Sequence, residues 1–73
     1  MIYETIRYAV REDVAILTLD RPDVMNALST QMRAEITDAA KRAPGEARVL
    51  VLTGRGRAFC SGQDLGDSKS IVA

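Results

Sequence analysis

Apolar and polar residues alternate with two different periods along the chain, and the change of period predicts the elements. Between Tyr3 and Val10, Ile6, Tyr8 and Val10 alternate with positions that include Thr5 and Arg7, the period of two expected of a half-buried strand. The polar stretch Arg11-Glu12-Asp13 interrupts it. Val14 to Leu19 then forms a second run rich in β-formers, and the short break between the runs predicts an antiparallel hairpin. Asp20-Arg21-Pro22-Asp23 ends that strand, because proline brings no amide to a ladder and holds its predecessor extended. Beyond it the period lengthens. Met32, Ile36, Ala39 and Ala43 form one stripe of a helix over Thr30 to Ala43, with Ser29 as N-cap and Pro44-Gly45 as the stop. Val49-Leu50-Val51-Leu52-Thr53 is apolar without alternation, which predicts a third strand covered on both faces.

The order strand, strand, helix, strand, loop belongs to the α/β class. In 73 residues one helix covers one face of such a sheet, and no later element covers the other. A chain of this size buries only ~60% of its unfolded surface. Residues 1–73 therefore read as the first part of a single larger domain, and the tail from Ser68 to Ala73 offers nothing that would close it.

Composition narrows the function. Ten basic against ten acidic residues leave no net charge to gather nucleic acid or an anionic membrane, and 47% apolar with 27% charged residues is ordinary for a folded chain. The absence of histidine excludes a Ser-His-Asp triad, a Cys-His pair and a histidine-ligated metal within this chain. The single Cys60 makes no internal disulfide or thiolate cage and suggests a reducing, cytoplasmic setting. Apolar runs are too short for a membrane span, and the first residues lack the pattern of a signal peptide.

Chemistry is concentrated in Thr53 to Leu65, where Gly54, Gly56 and Gly62 fall within nine residues. Glycines in a loop leaving a strand allow backbone N–H groups to approach an oxyanion or phosphate. The pattern is neither the dinucleotide fingerprint nor a P-loop, since the Gly-Lys-Ser/Thr ending is missing.

Two segments resemble the enoyl-CoA hydratase/isomerase, or crotonase, superfamily. Asp20-Arg21-Pro22-Asp23-Val24-Met25-Asn26-Ala27-Leu28 is similar to the family's N-R-P-x-x-x-N-A-L segment after the second strand. Gly56-Arg57-Ala58-Phe59-Cys60-Ser61-Gly62-Gln63-Asp64-Leu65 is similar to its G-x-x-F-[CS]-[AS]-G-x-D-[LI] loop. One helix and one strand separate them, as in the family, and the likeness covers residues 2 to 67. It implies a ββα spiral fold, assembly into trimers or hexamers, and an acyl-CoA thioester substrate whose enolate oxygen is held by two backbone amides. Carried over by position, the Gln63 N–H is one of these amides. Val24, Met25 and Ala27 line the channel for CoA and pantetheine, Asp64 with Leu65 completes the wall at the thioester, and Gly62 and Gln63 belong to the same substrate-binding set. The second amide and the carboxylate acid/base residues of the family lie later in the chain. CoA enters only as part of the substrate, and no separate cofactor or metal is implied. Ser61 to Leu65 most resembles the branch that isomerises ring-epoxidised phenylacetyl-CoA. Asp20 departs from the family's usual asparagine.

Other readings compete at individual positions. Cys60 without a histidine is a small apolar core residue rather than a nucleophile. Arg55 and Arg57 either contact CoA phosphates or are solvated. Asp64 holds its loop by accepting backbone hydrogen bonds, and Asn26 is a turn residue bonding locally. A non-catalytic alternative treats the chain as a module that folds only by association with itself or a partner, through the uncovered third strand. An RNA-contacting Gly/Arg loop is disfavoured by zero net charge and by Phe59 being the only nearby aromatic.

Overall fold

The computed structural model describes residues 1–62. Strands β1 (Ile6–Arg11), β2 (Val14–Leu19) and β3 (Val49–Gly54) form one sheet in that order, and helix α1 (Thr30–Arg42) connects β2 to β3. β1 and β2 are antiparallel, with Ile6 opposite Leu19 and Arg11 opposite Val14. β2 and β3 are parallel, from Val14 beside Val49 to Leu19 beside Gly54, which requires the crossover that α1 supplies.

The hairpin turns on Glu12 and Asp13, both with positive φ (50° and 68°), the backbone twist that suits a two-residue hairpin loop. On β2, Ala15, Leu17 and Leu19 point to the helix side and are buried. Leu17 and Leu19 meet Ile6 from β1 and Met32 and Ala39 from α1, with Tyr3, Tyr8, Leu28, Ile36 and Cys60 packed around them. Burial fades along β1 from Ile6 through the half-buried Tyr8 to the exposed Val10. Cys60 lies against this core, half-buried, as its apolar reading requires.

Ser29 caps α1 as expected, its Oγ accepting the Met32 amide at 3.1 Å. The helix ends one residue early, at Arg42, and continues as a single 3₁₀ turn, Ala43–Gly45, which Pro44 and Gly45 close. β1 starts at Ile6 rather than Tyr3 for a specific reason. The Glu35 carboxylate, buried on α1, accepts the amides of Glu4 and Thr5 and the Thr5 hydroxyl, each at 2.9 Å, so these N–H groups go to the helix and not to a strand ladder, although Thr5 O still accepts the Asp20 amide at 2.9 Å. Gln31 donates to the second oxygen at 3.0 Å. Burial alone would raise the Glu35 carboxyl, but these donors outweigh it and hold the carboxyl below its usual range.

β3 differs from the expectation of cover on both faces. Val49, Leu50, Val51 and Leu52 are all exposed among the described residues, because α1 packs over β1 and β2 and leaves the third strand beside an open groove of ≈ 290 Å³. That groove runs between Ala40 at the end of α1, with Ala43 of the following 3₁₀ turn, and the start of β3, at Val49 and Leu50.

Candidate functional site

The two parallel strands β2 and β3 both release their chains at the same end of the sheet, and the two singled-out segments begin there. From β2, Asp20 accepts hydrogen bonds from Arg7 Nε and Arg55 Nη1, both at 2.9 Å. Those two partners hold its carboxyl below the ordinary range. Arg55 is thereby committed to an ion pair although its side chain is 57% exposed, whereas Arg57 is exposed.

Residues 21 to 27 close on themselves. A 3₁₀ turn at Pro22–Val24 is followed by Met25 and Asn26 with φ of 52° and 56°. The Asn26 amide donates to Arg21 O at 2.8 Å, and Arg21 Nη1 donates to Ala27 O at 2.6 Å. Asn26 is fully buried. Its Oδ1 accepts the Arg21 amide at 2.7 Å, while Nδ2 donates to Arg55 O at 2.9 Å and to Ala58 O at 2.8 Å. The expected local bond is present, and two bonds across 29 and 32 residues of sequence extend it.

From β3, the chain folds back so tightly that a Cβ on Gly54 would stand 2.5 Å from Phe59 O and 2.6 Å from Phe59 Cα. Only glycine fits there without a backbone shift. The returning strip then pairs with the first segment: Ser61 N donates to Met25 O at 2.9 Å and Leu28 N to Gly62 O at 2.7 Å. Gly62 has φ of 104°, and a Cβ on it would meet no described atom within 4 Å.

Of the expected site residues, Val24, Met25, Ala27 and Gly62 are thus gathered at one end of the sheet. Val24 and Met25 expose their side chains, whereas Ala27 buries its side chain and Arg21 occupies its carbonyl. Gln63, Asp64 and Leu65 lie outside the described residues. Sequence reasoning did not anticipate Phe59, which is 54% exposed and adds apolar surface to this end of the sheet, or the reach of Asn26. A buried asparagine needs several partners, and its place beside two loops was the available signal. Among the described residues, no group of three acidic, cysteine or histidine side chains could hold a metal ion, and no helix is long and apolar enough to cross a membrane.

The family model described as enoyl-CoA hydratase/isomerase matches residues 9–71. The chain belongs to the enoyl-CoA hydratase/isomerase family. A probable enoyl-CoA hydratase from Rhodobacter capsulatus is 67% identical over 67 residues, covering 92% of this chain and 26% of the relative. The 1,2-epoxyphenylacetyl-CoA isomerase of Escherichia coli is 41% identical over 66 residues, covering 88% of this chain and 25% of the relative. It is the more distant of the two, so the likeness of Ser61 to Leu65 to that branch sits within a broader likeness to probable hydratases. An enoyl-CoA hydratase/isomerase structure from Xanthobacter autotrophicus superposes with a TM-score of 0.87 at 35% identity, covering 96% of this chain and 27% of that one. The fold is therefore the N-terminal α/β part of the crotonase fold, and the chain spans about a quarter of the length of the family members it matches.

Proposed function

We propose that these residues form the first part of an acyl-CoA site of the hydratase/isomerase type. In it, the backbone N–H of Gln63 donates to the thioester oxygen as that atom gains negative charge. The observation that carries this reading is the pairing of Met25–Leu28 with Ser61–Gly62 through the Ser61–Met25 and Leu28–Gly62 backbone bonds. It sets the two motif segments side by side beyond the carboxyl ends of parallel strands, the position at which open α/β sheets bind ligands.

A backbone donor suits the task because its direction is fixed before the reaction and its side chain is free to vary. The exposed Val24 and Met25 would flank the pantetheine arm, Ala27 would contribute its backbone, and Gly62, Asp64 and Leu65 would wall the thioester. CoA is then the carrier of the acyl group, and no metal or redox cofactor takes part. The protein's contribution is orientation and oxyanion stabilisation. The acid/base carboxylates and the second amide would come from sequence beyond this segment, in a cytoplasmic trimer or hexamer. The segment alone would then be inactive.

Calorimetric titration of the full-length protein with trans-2-butenoyl-CoA should give saturable binding, and failure to bind any acyl-CoA would contradict the reading. Replacing Gln63 with proline removes the proposed donor and should lower kcat by about 10²–10³-fold. A second reading, favoured by the exposed β3, is a non-catalytic module stabilised by self-association or by a partner. An isolated 1–73 polypeptide sedimenting as a well-folded 8.0 kDa monomer would contradict it.

A further inference from the structure

We propose that Asn26 is the positioning residue of the site, holding the loop after β3 so that Ser61 and Gly62 stay paired with Met25 and Leu28. This rests on the acyl-CoA reading above and deepens it. Three features single Asn26 out. It is fully buried, and no buried side-chain nitrogen or oxygen among the described residues lacks a partner. Its one amide group spans three backbone positions in two segments, Arg21 on one side and Arg55 and Ala58 on the other. Its own backbone, at φ 56°, lies between the two residues, Met25 and Leu28, whose main chain bonds the returning strip.

The chemistry of the amide is what the position requires. A carbonyl oxygen accepts and an NH₂ group donates twice, so asparagine satisfies one N–H and two C=O groups at once. Aspartate has the same shape but no hydrogen for the carbonyls of Arg55 and Ala58, and its charge would face both. Asparagine also enters the left-handed region more readily than most residues. Without these donors the turn at 55–58 is held, among the described residues, only at Arg55, through Leu19 O and Asp20, and the strip Ser61–Gly62 keeps its two backbone bonds and the Ser61 Oγ bond to Val24 O at 3.4 Å. Asn26 is fully buried and presents no surface to a ligand. It acts through the loop.

The test compares Asn26→Asp with a core control, Leu17→Ala, in the full-length protein, with Asn26→Gly as the second variant should the aspartate not fold. Two readouts are taken. By amide hydrogen exchange, Asn26→Asp should accelerate the Ser61 and Leu28 amides by about ten-fold or more, as expected for loss of two hydrogen bonds, while the Leu17 and Met32 amides keep their rates. With trans-2-butenoyl-CoA, kcat should fall by about ten- to a hundred-fold with KM within about three-fold, and the Leu17→Ala control should retain its kcat once folded. Unchanged exchange at Ser61 and Leu28, or an equal loss of kcat in the control, would overturn the assignment. A wild-type protein that binds no acyl-CoA would overturn the functional reading alone, and the exchange result would still decide whether Asn26 holds the loop.

Discussion

A buried carboxylate survives only where donors replace its water, and Glu35 has four of them. Its bonds tie the entry of β1 to the middle of α1, so it matters more than a polar residue on an amphipathic helix usually does. Replacing Glu35 with alanine orphans the amides of Glu4 and Thr5 and should cost about 3 kcal/mol in thermal or chemical unfolding. The folded-state carboxyl is depressed, so its stabilisation is fully present above the unfolded value near ~4.3 and is lost as pH falls through the lower folded value. Glu35→Gln should therefore flatten the acid limb of the stability curve, and an unchanged limb would contradict that assignment. Asp20→Asn should be far milder, since Arg7 and Arg55 are largely exposed and salt screens such pairs. Neither Glu35 nor the full role of Asn26 was legible in sequence. The helical period marks Met32, Ala39 and Ala43 correctly, but a glutamate next to that stripe reads as solvated until the strand amides it serves are placed beside it.

Elements were more legible than their ends. Ser29, the alternation in Val14–Leu19 and the Pro44-Gly45 stop each act locally, and local signals survive in sequence. The start of β1 moved because its first amides go to a side chain 30 residues away, which no local pattern carries. Ser29→Ala removes the acceptor for the Met32 amide and should cost about 1 kcal/mol, measurable by urea unfolding. The hairpin offers the opposite change. Glu12 and Asp13 both occupy positive φ, where asparagine and glycine are favoured, so Glu12→Asn with Asp13→Gly should stabilise by about 1 kcal/mol. A loss of stability would mean that the turn differs from the one described.

Across the whole molecule, the α/β order followed from the change of hydrophobic period and the family from two motifs at the right separation, while the surroundings of β3 did not. The unbroken apolar run Val49–Leu52 called for cover on both faces, and it is exposed in residues 1–62. A polypeptide of residues 1–73 alone should therefore associate or bind a hydrophobic dye, and lysine in place of Val51 should reduce that association. A dye-silent wild-type monomer would contradict this. The same arrangement sets the site. β3 delivers the glycine-containing loop to the end of the sheet where Met25 and Leu28 receive it, and the proposed oxyanion contact follows from that meeting. Its most direct test is the infrared frequency of a ¹³C-labelled thioester carbonyl in trans-2-butenoyl-CoA bound to the full-length protein. Backbone donors aimed at the oxygen weaken the C=O bond, so the frequency should fall below that of the same thioester in water and recover towards it in Gln63→Pro. A bound thioester with the frequency it has in water would contradict an oxyanion hole at this loop.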